Sequence, residues 1–198
     1  MDKTTLAAYD QAAPAFADDW SSQPAPDDMY QLLARHFKPG PTADVGCGAG
    51  RDVAWLAANG FDARGYDASE GLLREARARH PQLRFDVARL PELAGMVPGA
   101  FENVLCETVV MHLDPDTIGA ATRRLLEILR PGGALYLSWR VTGGESERDK
   151  HGRLYSAFDA SRVTRELGAG DAVLHDREEV SASSGKRIHR LVVRKADA

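Results

Sequence analysis

Three glycines in alternation, Gly46, Gly48 and Gly50, follow the short run Ala43-Asp44-Val45 and precede the helix-like stretch from Arg51 to Asn59. Where a strand turns directly into a helix, glycine permits a tight turn and leaves no side chain between the backbone and a ligand. A bare packing turn can use the same alternation, so its meaning depends on what surrounds it. Asp67 lies 21 residues beyond Gly46, at the end of the next strand-like run. At that spacing an acidic side chain on the neighbouring strand tip accepts both hydrogens of a ribose diol. The dinucleotide pattern would require glycine at position 51, where Arg51 stands, so a ligand smaller than a dinucleotide is expected.

Short apolar strands and helices alternate along the rest of the chain, which predicts an α/β sheet with parallel strands. Thr4 to Ala17 and Asp28 to Phe37 read as helices, with the loop "SSQPAPDD" between them. The strands are "ADVG", "FDARGYD", "LRFDV", "ENVLCE" and "ALYLSW". Ser69 is placed to cap the helix carrying Leu72, Leu73 and Ala76, and Asp114 with Pro115 opens another, which "RPGG" ends. Asp159 to Leu167 reads as a further helix. "DAVLHDREEV" and "RIHRLVVRK" flank so short a turn that they must pair antiparallel, making the sheet mixed at that edge.

The 198 residues suit one domain, and 43% apolar with 27% charged residues is a globular balance. No apolar run is long enough to cross a membrane, and Met1-Asp2-Lys3-Thr4-Thr5 lacks a leader's apolar core, so a cytoplasmic protein is expected. Cys47 and Cys106 stand outside any metal-ligand spacing and read as small buried hydrophobes, with no metal expected. A net charge of −4 gives no general attraction to nucleic acid. Arg74, Arg77 and Arg79 lie on an amphipathic helix whose charged face is solvated, with Arg84 and Arg89 just beyond it.

Five motifs in order resemble the class I S-adenosylmethionine-dependent methyltransferases, in particular the small bacterial ones acting on small molecules. They are "DVGCGAGRD", "GYDASEGLL", "FDVARLPEL", "FENVLCETVVMHL" and "LEILRPGGALYLSW", within a resemblance running from about Tyr9 to Lys195. Glu102 stands where that family usually has aspartate. The resemblance implies a Rossmann-like, doubly wound, seven-stranded mixed sheet with helices on both faces and its last strand antiparallel. It implies S-adenosylmethionine as cofactor, S-adenosylhomocysteine as product, and a cofactor-binding domain over residues 39–198. Ahead of it, Tyr9, Phe16 and Trp20 before the hinge-like "SSQPAPDD" read as part of an N-terminal helical lid over residues 1–38.

By the same resemblance, Gly46, Gly48 and Gly50 line the cofactor and Asp67 holds its ribose. Asp86 and Val87 meet the adenine, Asp44 and Glu107 hold the ammonium of the methionyl group, and Arg51 reaches its carboxylate. His112 is the candidate base for an acceptor that must lose a proton, or else a local packing residue. Tyr9, Trp20, Arg140 and Tyr155 are candidates for the acceptor pocket, with Phe16 equally suited to helix packing. A small polar acceptor is expected, with no nucleic acid or membrane partner and a monomeric or homodimeric state. A non-enzymatic nucleoside-binding module and a nicotinamide-dependent oxidoreductase are the alternatives. Arg51 and the lack of a hydride-transfer site disfavour the latter, and "CETV" after the fourth strand disfavours an adenine-modifying enzyme.

Overall fold

Val104, Leu105 and Cys106 are consecutive and all fully buried, a pattern that requires a strand covered on both faces. The computed structural model, which describes residues 1–197, shows what covers them. Three helices open the chain: α1 (Lys3–Gln11), α2 (Ala13–Ser22) and α3 (Asp27–His36). There follow β1 (Pro41–Val45), α4 (Arg51–Ala58), β2 (Asp62–Asp67), α5 (Glu70–Arg79), β3 (Arg84–Val87), β4 (Phe101–Cys106), α6 (Ile118–Ile128) and β5 (Leu129–Arg140). A two-stranded ribbon of β6 (Glu147–Arg148) and β7 (Leu154–Tyr155), the single turn α7 (Ser161–Thr164), β8 (Ala172–Val180) and β9 (Arg187–Arg194) complete the chain.

Seven strands form one sheet in the order β3-β2-β1-β4-β5-β9-β8. β9 runs antiparallel to both of its neighbours, and the other pairings are parallel. This is the expected mixed sheet with its last strand reversed, although β9 lies inside and β8 forms the edge. From β1 the chain builds outward through β2 and β3, then returns to lay β4 against the other side of β1. A crevice opens at such a switch point, beyond the carboxyl ends of the strands.

The two-residue period of a strand divides the core. Val104, Cys106, Leu135, Leu137, Leu191 and Val193 face α6 through Ile118, Ala121 and Leu125. Leu105, Tyr136 and Val192 point the other way, against Met29, Tyr30 and Leu33 of α3 and Leu56 of α4. α3 therefore belongs to the layer covering the sheet. Of the first 38 residues, α1 and α2 pack elsewhere, on α5, through Tyr9, Ala13, Phe16 and Leu72. There Asp10 Oδ1 accepts hydrogen bonds from Ser69 Oγ at 2.6 Å and Gly71 N at 2.9 Å.

Several element boundaries differ from the sequence reading. The expected first helix is two, broken at Ala12, because Pro14 lacks the N–H and the room to continue a helix and instead starts α2. α2 runs to Ser22, into the expected loop. Asp114 caps a 3-10 turn over Pro115–Thr117, and the α-helix itself begins at Ile118. "RPGG" is a bulge inside β5: Leu129 faces Phe101, but Ala134 already faces Asn103. The stretch from Asp159 to Leu167 is mostly three-residue turns closed by bonds such as Leu167 N to Thr164 O, around the one α turn. Ser69 caps α5 as expected, accepting from Leu72 N.

Candidate functional site

A cavity of about 1170 Å³ opens beyond the ends of β1, β2, β4 and β5. Its floor includes Gly46, Gly48, Asp67 and Glu107, and Tyr9, Phe16 and Trp20 of α1 and α2 roof it. Arg140, at the end of β5, and Tyr155, in β7, form one wall with His112. Topology therefore gathers into one space residues spread from position 9 to position 155.

Four of the sequence candidates, Asp44, Gly50, Asp86 and Val87, do not line that space. Gly50 has φ +86°, and a Cβ there would meet the Phe85 ring at 2.8 Å, so its backbone freedom serves the packing of α4 on β3. Asp86 pairs with Arg64 at 2.5 Å on the half-exposed outer end of the sheet. The Val87 side chain is exposed, and Ala88 and Leu90 line the cavity beyond it. Asp44, at the end of β1, lies beneath the glycine loop and is buried.

Asp67 organises the loop. Its Oδ2 accepts from Gly48 N at 2.9 Å and its Oδ1 from Ser69 N at 2.8 Å, so one carboxylate joins the glycine turn to the start of α5. Both oxygens keep lone pairs for further donors. Gly48 has φ +52°, and a Cβ there would stand 2.8 Å from the Trp20 ring. A side chain at this position would therefore be strained and would push the roof away.

The electrostatics of the floor are one-sided. Asp44, Asp52, Asp67 and Glu107 lie close enough to raise one another's or Asp44's proton affinity, and Arg51 is the cation among them. Burial, first of all, pushes the carboxyls of Asp44, Asp67 and Glu107 up. Arg51 is already engaged by Asp52, Nε to Oδ1 at 2.9 Å and Nη2 to Oδ2 at 3.1 Å. Tyr30 also donates to Asp52 Oδ1, at 2.8 Å. Asp44 Oδ2 is buried with no hydrogen-bond partner among the described residues. A buried carboxylate oxygen without a donor is costly, and a cluster of this kind fits a ligand that brings positive charge.

At the roof, Tyr9 Oη lies 3.0 Å from His112 Nε2, and His112 Nδ1 lies 2.5 Å from the Leu154 carbonyl. Burial holds the imidazole neutral, with its pKa pushed down to about 4. Cys47 and Cys106 are buried free thiols, raised by the same desolvation. No helix of the described residues is long and apolar enough to cross a membrane. The described residues contain no cluster of three or more potential metal ligands.

Four residues of the site escaped the sequence reading's candidate set. Asp52, in the first turn of α4, is joined to Arg51 and Tyr30 only by the fold. Ser138 Oγ accepts from Thr108 N at 3.0 Å and donates to the Glu107 carboxylate, a role that depends on the pairing of β4 with β5. Thr108 itself has φ +53°, a left-handed conformation rare for a β-branched residue, where the chain turns sharply off β4. Arg153, held by Asp149, reaches Tyr9 only through the fold.

This fold and site define an α/β protein with a roofed pocket at the switch point of its sheet. Residues 43–133 match the family model described as a methyltransferase domain. Trans-aconitate 2-methyltransferase of Sinorhizobium medicae is 35% identical over 121 residues, which is 60% of this chain and 44% of the relative. Ubiquinone biosynthesis O-methyltransferase of Methylococcus capsulatus is 38% identical over 100 residues, 48% of this chain and 41% of the relative. These matches span less than half the length of the curated relatives. Among solved structures, the 1,6-didemethyltoxoflavin-N1-methyltransferase of Burkholderia thailandensis superposes with a TM-score of 0.76 at 22% identity, covering 98% of this chain and 88% of that one. The [4+2]-cyclase SpnF follows the same fold, with a TM-score of 0.73 at 17% identity over 96% of this chain and 94% of its own. Over residues 43–133 the chain is thus similar to a methyltransferase domain, and its fold is shared with solved methyltransferases.

Proposed function

We propose that the protein is an S-adenosylmethionine-dependent methyltransferase acting on a small polar molecule. The observation that carries this reading is the acid-rich floor, with Asp52, Asp67 and Glu107 lining the cavity and the unpartnered Asp44 oxygen buried next to them, which fits a cationic ligand beside a glycine loop and a ribose-spaced aspartate. When bound, S-adenosylmethionine supplies a methyl group on positively charged sulfur, ready for in-line displacement. The chain's own part is to hold and align. Glu107 and Asp44 take the ammonium, Arg51 the carboxylate, and Asp67 the ribose hydroxyls while keeping the loop amides in place. Asp86 is committed to Arg64, which leaves the apolar Ala88 and Leu90 as the flank for the adenine.

The roof of Tyr9, Phe16 and Trp20 excludes water and fixes the acceptor, so that positioning removes the entropy of encounter. His112, neutral and buried at the wall, is placed as the proton acceptor where one is needed. SpnF shows that the fold by itself does not dictate the reaction, so binding without methyl transfer is the competing reading. Calorimetric titration with S-adenosylhomocysteine, then an acceptor screen read by mass spectrometry for a gain of one methylene, separates the two. Binding with no methylated product across the screen would favour a non-enzymatic module, and no binding would remove both.

A further inference from the structure

The hydrogen bonds around Tyr9 have a fixed direction. A carbonyl oxygen only accepts, so His112 Nδ1, at 2.5 Å from Leu154 O, carries the ring proton and Nε2 of the neutral imidazole is a lone pair. Tyr9 therefore donates to Nε2 across 3.0 Å. A guanidinium only donates, and Arg153 Nη1 lies 3.3 Å from Tyr9 Oη, so Tyr9 also accepts. Asp149 fixes Arg153, with its Oδ2 at 2.8 Å from Nε and 2.6 Å from Nη2. The phenol oxygen keeps one lone pair, and Tyr9 lines the cavity, so a path leading to His112 can start at this hydroxyl.

Arg140 supplies the second feature. The other arginines lining the cavity are committed: Arg51 to Asp52, Arg79 to Asp18 and Glu75, and Arg153 to Asp149. Arg140 has no carboxylate partner among the described residues, and its guanidinium sits 4.9 Å from the centre of the Tyr155 ring. The His112 ring packs edge-on against the same Tyr155, at 5.1 Å between centres. A cation without a carboxylate partner and a directed proton path thus flank one aromatic ring, within the span of a single small molecule. Arg153 already lies 4.7 Å from the Phe16 ring centre and 5.4 Å from that of Tyr9, so a cationic acceptor at these two rings would meet a like charge.

We propose that the acceptor is a small anion whose methylated atom still carries a proton: a hydroxyl or N–H group on a molecule that also bears a carboxylate or comparable anionic group. Arg140 binds the anionic group. Tyr9 is a catalytic residue that takes the proton and passes its own to His112, and Arg153 is a positioning residue that orients the Tyr9 hydroxyl. This rests on the methyltransferase reading. As the acceptor's X–H bond breaks, its electron pair stays on X and forms the bond to the methyl carbon, while the S–C pair of the sulfonium donor stays on sulfur. The proton bonds to Tyr9 Oη, the former Tyr9 proton bonds to His112 Nε2, and the imidazolium later releases it to solvent. A carboxylate oxygen as the methylated atom would leave this path without a proton to carry.

The test begins with S-adenosylhomocysteine binding, whose absence would overturn the methyltransferase reading itself. Protein that binds it is then given S-adenosylmethionine and matched acceptors on benzoate, pyridine-carboxylate and short aliphatic scaffolds. Each scaffold is offered as the hydroxy acid, the amino acid, the unsubstituted acid, and the methyl ester of the hydroxy acid. Turnover is expected with the hydroxy or amino acids, with the new methyl on oxygen or nitrogen outside the carboxylate. Arg140→Met should raise KM at least about tenfold with kcat within about twofold, and abolish the preference over the ester. Tyr9→Phe should lower kcat roughly 100-fold with KM little changed, as expected on losing a proton-transfer group. Should Tyr9→Phe no longer bind S-adenosylhomocysteine, His112→Gln serves in its place with the same expected loss of kcat. Nitrogen-15 resonances of His112 test Arg153 separately, because Arg153→Gln should move the Nε2 signal and leave Nδ1 protonated. Methyl esters as the sole products, no turnover of any hydroxy or amino acid, or unchanged kcat in the Tyr9 and His112 variants would overturn the proposal. An unmoved Nε2 signal in Arg153→Gln would remove Arg153 from it.

Discussion

Trp20 rests on Gly48, its Cζ3 atom 2.8 Å from where a Cβ on that glycine would stand. The roof and the loop therefore share a surface, and a change in one is felt in the other. Gly48→Val adds a branched side chain at φ +52° and displaces the ring. The variant should keep a cooperative thermal transition, show altered tryptophan fluorescence, and bind S-adenosylhomocysteine at least about tenfold more weakly, ~1.4 kcal/mol. Altered fluorescence with unchanged affinity would confine Gly48 to packing the roof.

Asp67 should matter for stability as well as binding. In Asp67→Ala the buried amides of Gly48 and Ser69 lose their acceptor, at about 1–3 kcal/mol for each left unsatisfied. Urea denaturation should register that loss, and calorimetry should register weaker S-adenosylhomocysteine binding. Asp67→Asn, which keeps one acceptor oxygen, should fall between. Weaker binding at undiminished stability would show that the loop does not depend on this carboxylate.

The α1–α2 segment is bound at several points, which changes what its removal should do. Asp10 bonds Ser69 and Gly71, the Met1 amino group donates to Leu90 O at 2.9 Å, and Thr5 Oγ1 accepts from Leu154 N at 2.8 Å. Asp10→Ala should cost about 1 kcal/mol, the scale of a lost helix cap. Deleting residues 1–26 should lower the melting temperature further and weaken cofactor binding. Limited proteolysis between Tyr9 and Asp28 should slow when S-adenosylhomocysteine is present. An unchanged melting temperature in the deletion would make the segment a free-standing lid.

His112 sets a pH dependence with a defined sign. Its pKa of about 4 in the folded protein lies below the ordinary value near 6.5, so the unfolded chain takes up this proton first as pH falls. Its contribution is fully present above pH 6.5 and is lost as pH falls to about 4. Asp44, Asp67 and Glu107 are shifted upward and act in the opposite direction, so the comparison is with His112→Gln. The stability advantage of wild type over that variant should shrink by on the order of 3 kcal/mol between pH 6.5 and 4. Denaturation series at several pH values measure it, and a constant difference would show that His112 titrates normally in the fold.

The sequence by itself determined the sheet and the loop. Alternating apolar runs specify strands buried on one or both faces, and glycines between Val45 and Arg51 specify a turn without side chains, because these are local requirements of the backbone. The reversed last strand was legible for a similar reason: too few residues separate β8 from β9 for a parallel crossover. Only the tertiary structure decided which polar groups meet. Asp86 lies two residues from Ala88 in sequence, yet its carboxylate is held by Arg64 on the neighbouring strand while Ala88 lines the cavity. Tyr9 and His112 are joined across 103 positions, and Asp10 caps α5 across about 60. No periodicity records such contacts, because they are set by how layers dock and by which buried donor reaches which acceptor. Arg140 and Arg153 show the same limit. Only packing gives Arg153 a carboxylate partner and leaves Arg140 without one.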